Sequence, residues 1–495
     1  MTVGKRLFAR WLRYALCLLP LLLALGCSGP PELAAPERLP SEDFPGGVGS
    51  VKYKPFASFE LPASNLAAAL LPAFHAGKAL ANQPWIKAPT ATDSRDGLGP
   101  LYNGRTCLGC HINGGRGLVP LADDQAIFAS IVRISLPGED VILGAQPDPV
   151  YGDQMQVQSI ALSHQLRGKV QAKTPEENPE APPEARIYVD WHVKGMTYPD
   201  GTTIELRYPT ARIEELGYGQ LSSNILISLR AAPAIHGVGL LEAIDQRDVE
   251  ALSDPIDRNE DGISGRVNRV WDFEQQKTVA GRFGWKANRA NLPITTASAF
   301  QGDLGITNPL FPEQPCSSEQ QRCLSAPSGN DRDGFELPEH LLQLTVGFIR
   351  GTGVPVSRPQ NKQTTQGRAL FYHSGCAQCH QPSFTTGSMG GELAHLGGQT
   401  IWPYTDLLLH DMGSDLADGR PDYEASGREW RTPPLWGIGL SSAVNGVETL
   451  LHDGRARNVE EAIVWHGGEA ATARQRFVEL TAHQRLALIA FVETL

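Results

Sequence analysis

The chain of 495 residues has no excess of positive charge: 43 Lys and Arg stand against 54 Asp and Glu, a formal charge of −11. That balance argues against nucleic-acid binding and against adhesion to anionic membranes; it suits a basic partner, or plain solubility. Long apolar runs are missing beyond the N-terminus. No internal stretch reaches the roughly 20 residues that a helix needs to cross a bilayer. Cysteine is scarce as well, 8 in all, with no grouping that reads as a Cys-rich zinc framework. The length leaves room for two or three domains.

Half of the scarce cysteines fall in two short runs, Cys107-Leu-Gly-Cys110-His111 and Cys376-Ala-Gln-Cys379-His380. Cys-x-x-Cys-His is the attachment signature of c-type haem. The two thiols add across the haem vinyl groups, and the adjacent imidazole becomes the proximal ligand of the iron. A reactive dithiol and half of a zinc site are the alternatives. A dithiol has no need of the His, and the two runs do not pair into a zinc framework. The expectation is therefore two covalently bound c-type haems, one on Cys107, Cys110 and His111, the other on Cys376, Cys379 and His380. Cys316 and Cys323 lie in a polar, Pro-flanked segment with no His after them. They read as a loop-closing disulfide, with a free reactive pair as the alternative.

The N-terminus reads as an export signal. Lys5, Arg6, Arg10 and Arg13 precede an apolar stretch from Tyr14 to Leu25, then Gly26-Cys27-Ser28. About a dozen apolar residues fit a signal peptide rather than a span. Ala24-Leu-Gly-Cys27 resembles a lipobox, although Leu more often stands three residues before the Cys. We expect residues 1–26 to be a lipoprotein-type signal and Cys27 to carry the lipid; plain secretion and an uncleaved anchor are the alternatives. All three put the main body on the periplasmic side of a bacterial membrane, and Ser28 favours the outer one. The signal holds four positive charges and no negative ones, so the remainder stands at −15.

Residues 27–61, rich in Pro, Gly and acidic groups, read as a tether. The expected fold is mainly α, with two cytochrome-c-like haem domains, long loops and a small β insertion. The N-terminal haem domain is expected over 62–345 and the C-terminal one over 346–495. Gly367-Arg-Ala-Leu370-Phe371 precedes the second haem run by one short helix, and Gly77-Lys-Ala-Leu80 echoes it before the first. Arg186–Trp191 and Thr203–Arg207 alternate in the strand manner around Pro199-Asp-Gly201 and predict the insertion. Asn458-x-x-Glu461 and Thr481-x-x-Gln484 mark helix starts near the C-terminus.

Further runs carry a resemblance. Asp96-Gly-Leu-Gly-Pro100, Gly239-Leu-Leu-Glu-Ala243 and Gly281-Arg-Phe-Gly-Trp-Lys286 are followed by Asp406-Leu-Leu-Leu-His-Asp-Met412-Gly. Then come Glu429-Trp-Arg-Thr-Pro-Pro-Leu-Trp-Gly-Ile-Gly439, Leu451-His-Asp-Gly-Arg-Ala456 and Trp465-His-Gly-Gly-Glu469. Over roughly residues 65–495 the chain resembles the bacterial dihaem oxidoreductases, which carry peroxidase or thiol-oxidoreductase labels. That family is similar to dihaem cytochrome c peroxidase and MauG. In those relatives the distal ligand of the C-terminal haem, Met or Tyr, lies fourteen residues after the His of the His-Asp-Gly run. Fourteen residues after His452 stands His466, so the resemblance implies His380 and His466 as the axial pair, with Met412 the alternative.

No distal ligand can be named for the first haem. His164, His192 and His236 qualify by residue type only, so an open sixth position is expected there. Gln154, Gln156, Arg230 and Glu242 are polar candidates for its distal pocket. Arg230 and Glu242 are the expected catalytic pair, because cleavage of an O–O bond needs a proton shuttle and a stabiliser of developing charge. Asp257-Arg-Asn259-Glu-Asp261-Gly262 resembles the start of a calcium loop; its twelfth position is Asn268 rather than Glu. The relatives hold calcium between their haem domains, which adds Ca2+ on Asp257, Asn259 and Asp261 as an expectation, with an Asx-rich turn as the alternative. Trp285 is either an electron relay of the MauG kind or a packed core residue. The functional expectation is a peroxidase-like oxidoreductase that meets peroxide or another oxidant and a redox partner, such as a small cytochrome or a copper protein. A MauG-like oxidase and a non-catalytic electron carrier are the alternatives.

Overall fold

The computed structural model describes residues 35–91, 95–161, 181–330 and 333–495. The signal, Cys27 and His164 lie outside the described residues. The helices used below are α1 (Leu71–Asn82), α2 (Cys107–Cys110), α3 (Leu292–Leu304), α4 (Glu339–Arg350), α5 (Lys362–Ser374), α6 (Val459–Trp465) and α7 (Ala482–Val492). The strands are β1 (Ser130–Ser135), β2 (Arg186–Thr197), β3 (Thr203–Glu214), β4 (Leu226–Ala231), β5 (Leu409–Asp411) and β6 (Glu429–Arg431). The helices are fewer than a mainly α chain implies. The described residues hold six two-stranded antiparallel sheets, and loops occupy much of the rest. The 37 Pro and 51 Gly explain this, since both residues interrupt helices.

Two helix crossings organise the chain, and they use one device. In the first half α1 packs on α4, and a Cβ added to Gly77 would strike Leu344 O and come within 2.9 Å of Phe348 Cβ. In the second half α5 packs on α7, and a Cβ on Gly367 would strike Ala487 O and come within 2.8 Å of Phe491 Cβ. Each glycine thus lets two helix backbones touch, with a Phe one turn further along the partner. The echo between Gly77-Lys-Ala-Leu80 and Gly367-Arg-Ala-Leu370 is a real structural repeat. Capping is as the sequence signals: Asn361 accepts from Thr364 N, Asn458 from Glu461 N and Thr481 from Gln484 N.

A second repeat lies, in the sequence, between the two helices of each crossing. Pro233-Ala-Ile-His-Gly-Val-Gly-Leu240 matches Pro433-Pro-Leu-Trp-Gly-Ile-Gly-Leu440. Gly237 (φ 71°) and Gly437 (φ 73°) both take the left-handed conformation. Gly239 then closes on Arg350 O at the end of α4, and Gly439 on Glu493 O just past α7.

The expected β insertion is a hairpin in which β2 pairs with β3 from Arg186–Glu214 to Thr197–Thr203. It leaves the first half and covers the second. Tyr198 and Leu206 join the core of Leu370, Phe371, Leu488 and Phe491; Tyr198 Oη donates to Glu460 at 2.9 Å, and Arg485 pairs with Asp200 at 2.7 Å. Cys316 and Cys323 form a disulfide. No helix among the described residues is long and apolar enough to cross a membrane.

Candidate functional site

Both Cys-x-x-Cys-His runs open on one cavity of about 600 Å³. In the first run Thr106 caps α2, accepting from Gly109 N at 2.7 Å, and His111 follows as the helix ends. In the second, α5 stops at Gly375 (φ 90°) and Cys376 begins at once. His111 Nδ1 lies 2.6 Å from Pro233 O, and His380 Nδ1 lies 2.9 Å from Tyr404 O. A carbonyl oxygen can only accept, so each Nδ1 carries the proton and each Nε2 keeps its lone pair. His466, also on the cavity wall, repeats the pattern with Nδ1 2.7 Å from Ala462 O. Burial holds all three imidazoles below their ordinary pKa, His380 at about 4. The protonated forms of His466 and of His410 would each lower His380 further; no His among the described residues does so for His111.

The four run cysteines are free thiols. Burial pushes Cys107, Cys110 and Cys376 up to about 12. A thiol so held is protonated and a poor redox nucleophile, which disfavours the reactive-dithiol alternative. Zinc fares no better. Cys379, Asp406 and His410 stand close enough to hold an ion, but His410 gives both ring nitrogens to carboxylates, Nε2 to Asp406 and Nδ1 to Glu469, each at 2.7 Å. Burial opposes charge on that ring, yet the two carboxylates outweigh it and raise its pKa well above the ordinary value. An imidazolium has no lone pair for a metal.

The donor set and the cavity together fit haem: two thiol pairs, each followed by a neutral imidazole with a free Nε2, on the wall of one largely apolar chamber. Met412 and Trp285 line the same chamber. Trp285 is also a core residue, its Nε1 donating to Ala231 O at 2.8 Å.

The structure corrects several expected site residues. Arg230 does not line the cavity; it is buried against Asp422 at 2.7 Å and Asp418 at 3.3 Å. Glu242 is spent on Arg350 at 2.6 Å and on Leu292 N at 2.8 Å. Gln154 and Gln156 bond to Gly302 O and do not reach the cavity. His192 is on the exposed hairpin, 2.9 Å from Thr210 Oγ1. His236 is buried on the cavity wall, stacked on Phe59 at 3.8 Å, with Nε2 3.1 Å from Trp436 O and Nδ1 without a partner.

The Asp257 loop is closed by Asx-type hydrogen bonds. Asp257 accepts from Asp261 N and Gly262 N, Asn259 from Asp261 N, and Asp261 from Ile263 N, at 2.9–3.2 Å. Asn268 is buried elsewhere, donating to Lys286 O and Asp422 O.

Sequence reasoning missed four cavity residues: Arg116, Arg431, His410 and His452. His452 stacks on Trp430 at 3.7 Å and 11°, and burial lowers it to about 4. Arg431, His410 and His452 all stand in the family-like runs; only Arg116, five residues after His111, lay outside them.

No curated protein matches the chain. Among solved structures, a chain of hydrazine synthase from Kuenenia stuttgartiensis matches at 17% identity over 32% of this chain and 57% of that one. Its TM-score of 0.23 is too low to carry an argument. Over residues 46–495 the sequence matches the family described as "Di-haem oxidoreductase, putative peroxidase". A match over so much of the chain, carried by the two Cys-x-x-Cys-His runs on one cavity, means that the protein belongs to the di-haem oxidoreductase family.

Proposed function

We propose that this protein is an exported, peroxidase-like dihaem c-type oxidoreductase that passes electrons between its two haems. The observation that carries the reading is the shared cavity, on which His111 and His380 each present an unprotonated Nε2. Cys107, Cys110 and His111 would hold the first haem, and Cys376, Cys379 and His380 the second. Haem supplies redox-active iron whose behaviour depends on its axial ligands and on access to it.

The chain's own residues prepare the two positions differently. The Nδ1–H bonds to Pro233 O and Tyr404 O fix ring orientation and strengthen each imidazole as a ligand. His466, on the same cavity wall, would complete the His380 position, where two imidazoles give a lower potential than Met and His. No His among the described residues acts on His111 in this way, and an open position there would admit a small oxidant such as peroxide. Arg230 and Glu242 are committed to ion pairs, so the neutral His452 is the wall group suited to hydrogen-bond a small polar substrate. Trp285 on the same wall favours a second reading, in which oxidising equivalents leave through a tryptophan to a larger substrate, as in MauG. Electronic spectra of the purified holoprotein with and without peroxide test these readings. A high-spin ferric signal that responds to peroxide is expected. Two low-spin haems inert to peroxide would make the protein an electron carrier.

The signal over residues 1–26 and lipidation of Cys27 complete the reading: a lipoprotein on the periplasmic side of a bacterial membrane, served by a small redox protein. A calcium ion on Asp257, Asn259 and Asp261 is the part that the family resemblance adds. A chelator that leaves spectra and stability unchanged would remove it.

A further inference from the structure

Buried cations in this protein nearly always meet a carboxylate. Arg230, Lys286, Arg368, Arg420 and Arg485 each have one within 3.3 Å. Four arginines on the cavity wall do not; Arg476 is exposed and Arg474 points its guanidinium at Met196, which leaves Arg116, half-buried, and Arg431, buried. Arg431 donates Nε to Gly284 O at 2.9 Å and Nη1 to Thr432 O at 3.3 Å. Arg116 donates Nε to Thr449 O at 2.8 Å and Nη2 to Leu451 O. That leaves Nη2 of Arg431 and Nη1 of Arg116 without a hydrogen-bond partner among the described residues.

The neighbouring acids are engaged elsewhere. Asp406, the carboxylate that acts on Arg431, is bonded to His410. Asp453, one of two that act on Arg116, is held by Arg455 at 2.7 Å. The other, Glu448, is not within ion-pair distance, and burial raises it to about 7. Burial pulls both arginines down to about 10, the sign of charge left under-compensated. Arg282 also lacks a carboxylate, but it spends its guanidinium on three carbonyls and Gln246, away from the cavity.

The two free guanidinium groups share one place. Arg116 lies 4.9 Å over the Trp285 ring, and the Arg431 guanidinium reaches the carbonyl just before Trp285, Nε donating to Gly284 O at 2.9 Å. A buried charge without a partner is costly, and the remedy here must come from what enters the cavity. A guanidinium matches a carboxylate in shape and charge, and haem carries two such groups as propionates.

We propose that Arg116 and Arg431 form a carboxylate clamp beside Trp285 that receives haem propionates and tunes the potentials of the haems. The inference rests on the dihaem reading above. Both arginines are positioning residues: they hold the carboxylates and place positive charge close to the redox centres. A cation there favours the reduced state, which carries one more electron.

The test uses the full holoprotein, with covalent haem on a denaturing gel checked first. If that gel shows no haem, the functional reading fails before the clamp is at issue. With haem present, Arg116→Gln and Arg431→Gln should each shift at least one haem to lower potential in an optical redox titration. Arg116→Lys and Arg431→Lys should restore most of the shift. Potentials unmoved in both Gln variants and in the double variant would overturn the clamp. A measurement on the unmutated protein guards against misfolded variants. Haem carboxylates labelled through 13C-labelled 5-aminolevulinate can be followed by infrared spectroscopy from pH 5 to 8. Clamped propionates stay ionised throughout; labelled carboxylates that take up protons in that range refute the proposal.

Discussion

The tautomer of three imidazoles does much of the work at the residue scale. His111, His380 and His466 each donate Nδ1–H to a main-chain carbonyl, so the sequence around them, not the ring itself, decides which nitrogen can bind iron. His466→Ala removes the proposed partner of His380 without touching the attachment run. The second haem should then pass from low spin to high spin in the ferric electron paramagnetic resonance spectrum. A near-infrared magnetic circular dichroism band of Met–iron type in the unmutated protein would instead hand the position to Met412. Away from the cavity, Glu184 is 1% exposed, and burial raises it to about 8 against hydrogen bonds from Gln320 and Gln156 N. Its folded pKa lies above the ordinary 4.5, so the native state holds its proton more firmly than the unfolded chain. The stability this group contributes is complete below pH 4.5 and is lost as pH rises through 8. Glu184→Gln should therefore leave the thermal midpoint little changed at pH 5 and raise it at pH 8.5. Equal effects at both values would contradict the protonated native form. These roles were only partly legible. The Cys-x-x-Cys-His runs state their chemistry within five residues. Arg230 could not be read as structural, because its partner Asp422 is 192 residues away.

Elements repeat this contrast between local and distant information. Gly77 and Gly367 could be matched because each sits in a four-residue echo inside one helix. The echo between Pro233–Leu240 and Pro433–Leu440 went unseen, although it is longer. Insertions have moved the two copies 200 residues apart while the haem runs are 269 apart, so no single period aligns the halves. The hairpin was legible where Arg186–Trp191 alternates. Its full length was not, because Lys194, Gly195 and Pro209 dilute the alternation. Its role was hidden too, since the residues it covers, Glu460 and Arg485, lie far along the chain. The glycine crossings make a paired prediction. Gly77→Ala and Gly367→Ala each push a methyl into a partner backbone carbonyl, which cannot swing aside as a flexible side chain would. Each should cost about 1–3 kcal/mol or more in denaturant unfolding. The haem-specific spectral change should separate them, Gly77→Ala acting on the first haem and Gly367→Ala on the second. A cost below about 0.5 kcal/mol at either site would show that the helices can part there.

At the scale of the whole molecule, the two halves meet at the cavity, and the described surface carries the charge that a partner must face. Composition alone excluded a basic, nucleic-acid-like surface, but it could not show where the cations went. Some are inside, Lys286, Arg420 and Arg431 among them, and so are acids such as Asp406, Asp422 and Asp453. Burial takes up both signs, so the exterior stays acidic in keeping with the formal −11 of the whole chain, and loss of the first 26 residues would take the total to −15. A basic electron donor would be drawn to such a surface, and salt would weaken the attraction because the Debye length shortens from about 10 Å at 0.1 M to about 3 Å at 1 M. Reduction of the ferric holoprotein by a basic c-type cytochrome, followed by stopped flow, should therefore slow steeply as ionic strength rises. An acidic cytochrome of similar potential supplies the control, and its rate should be lower at low salt and rise or stay level. If the basic donor shows no salt dependence, or the two donors behave alike, association is not steered by this charge and the donor must dock on an uncharged surface.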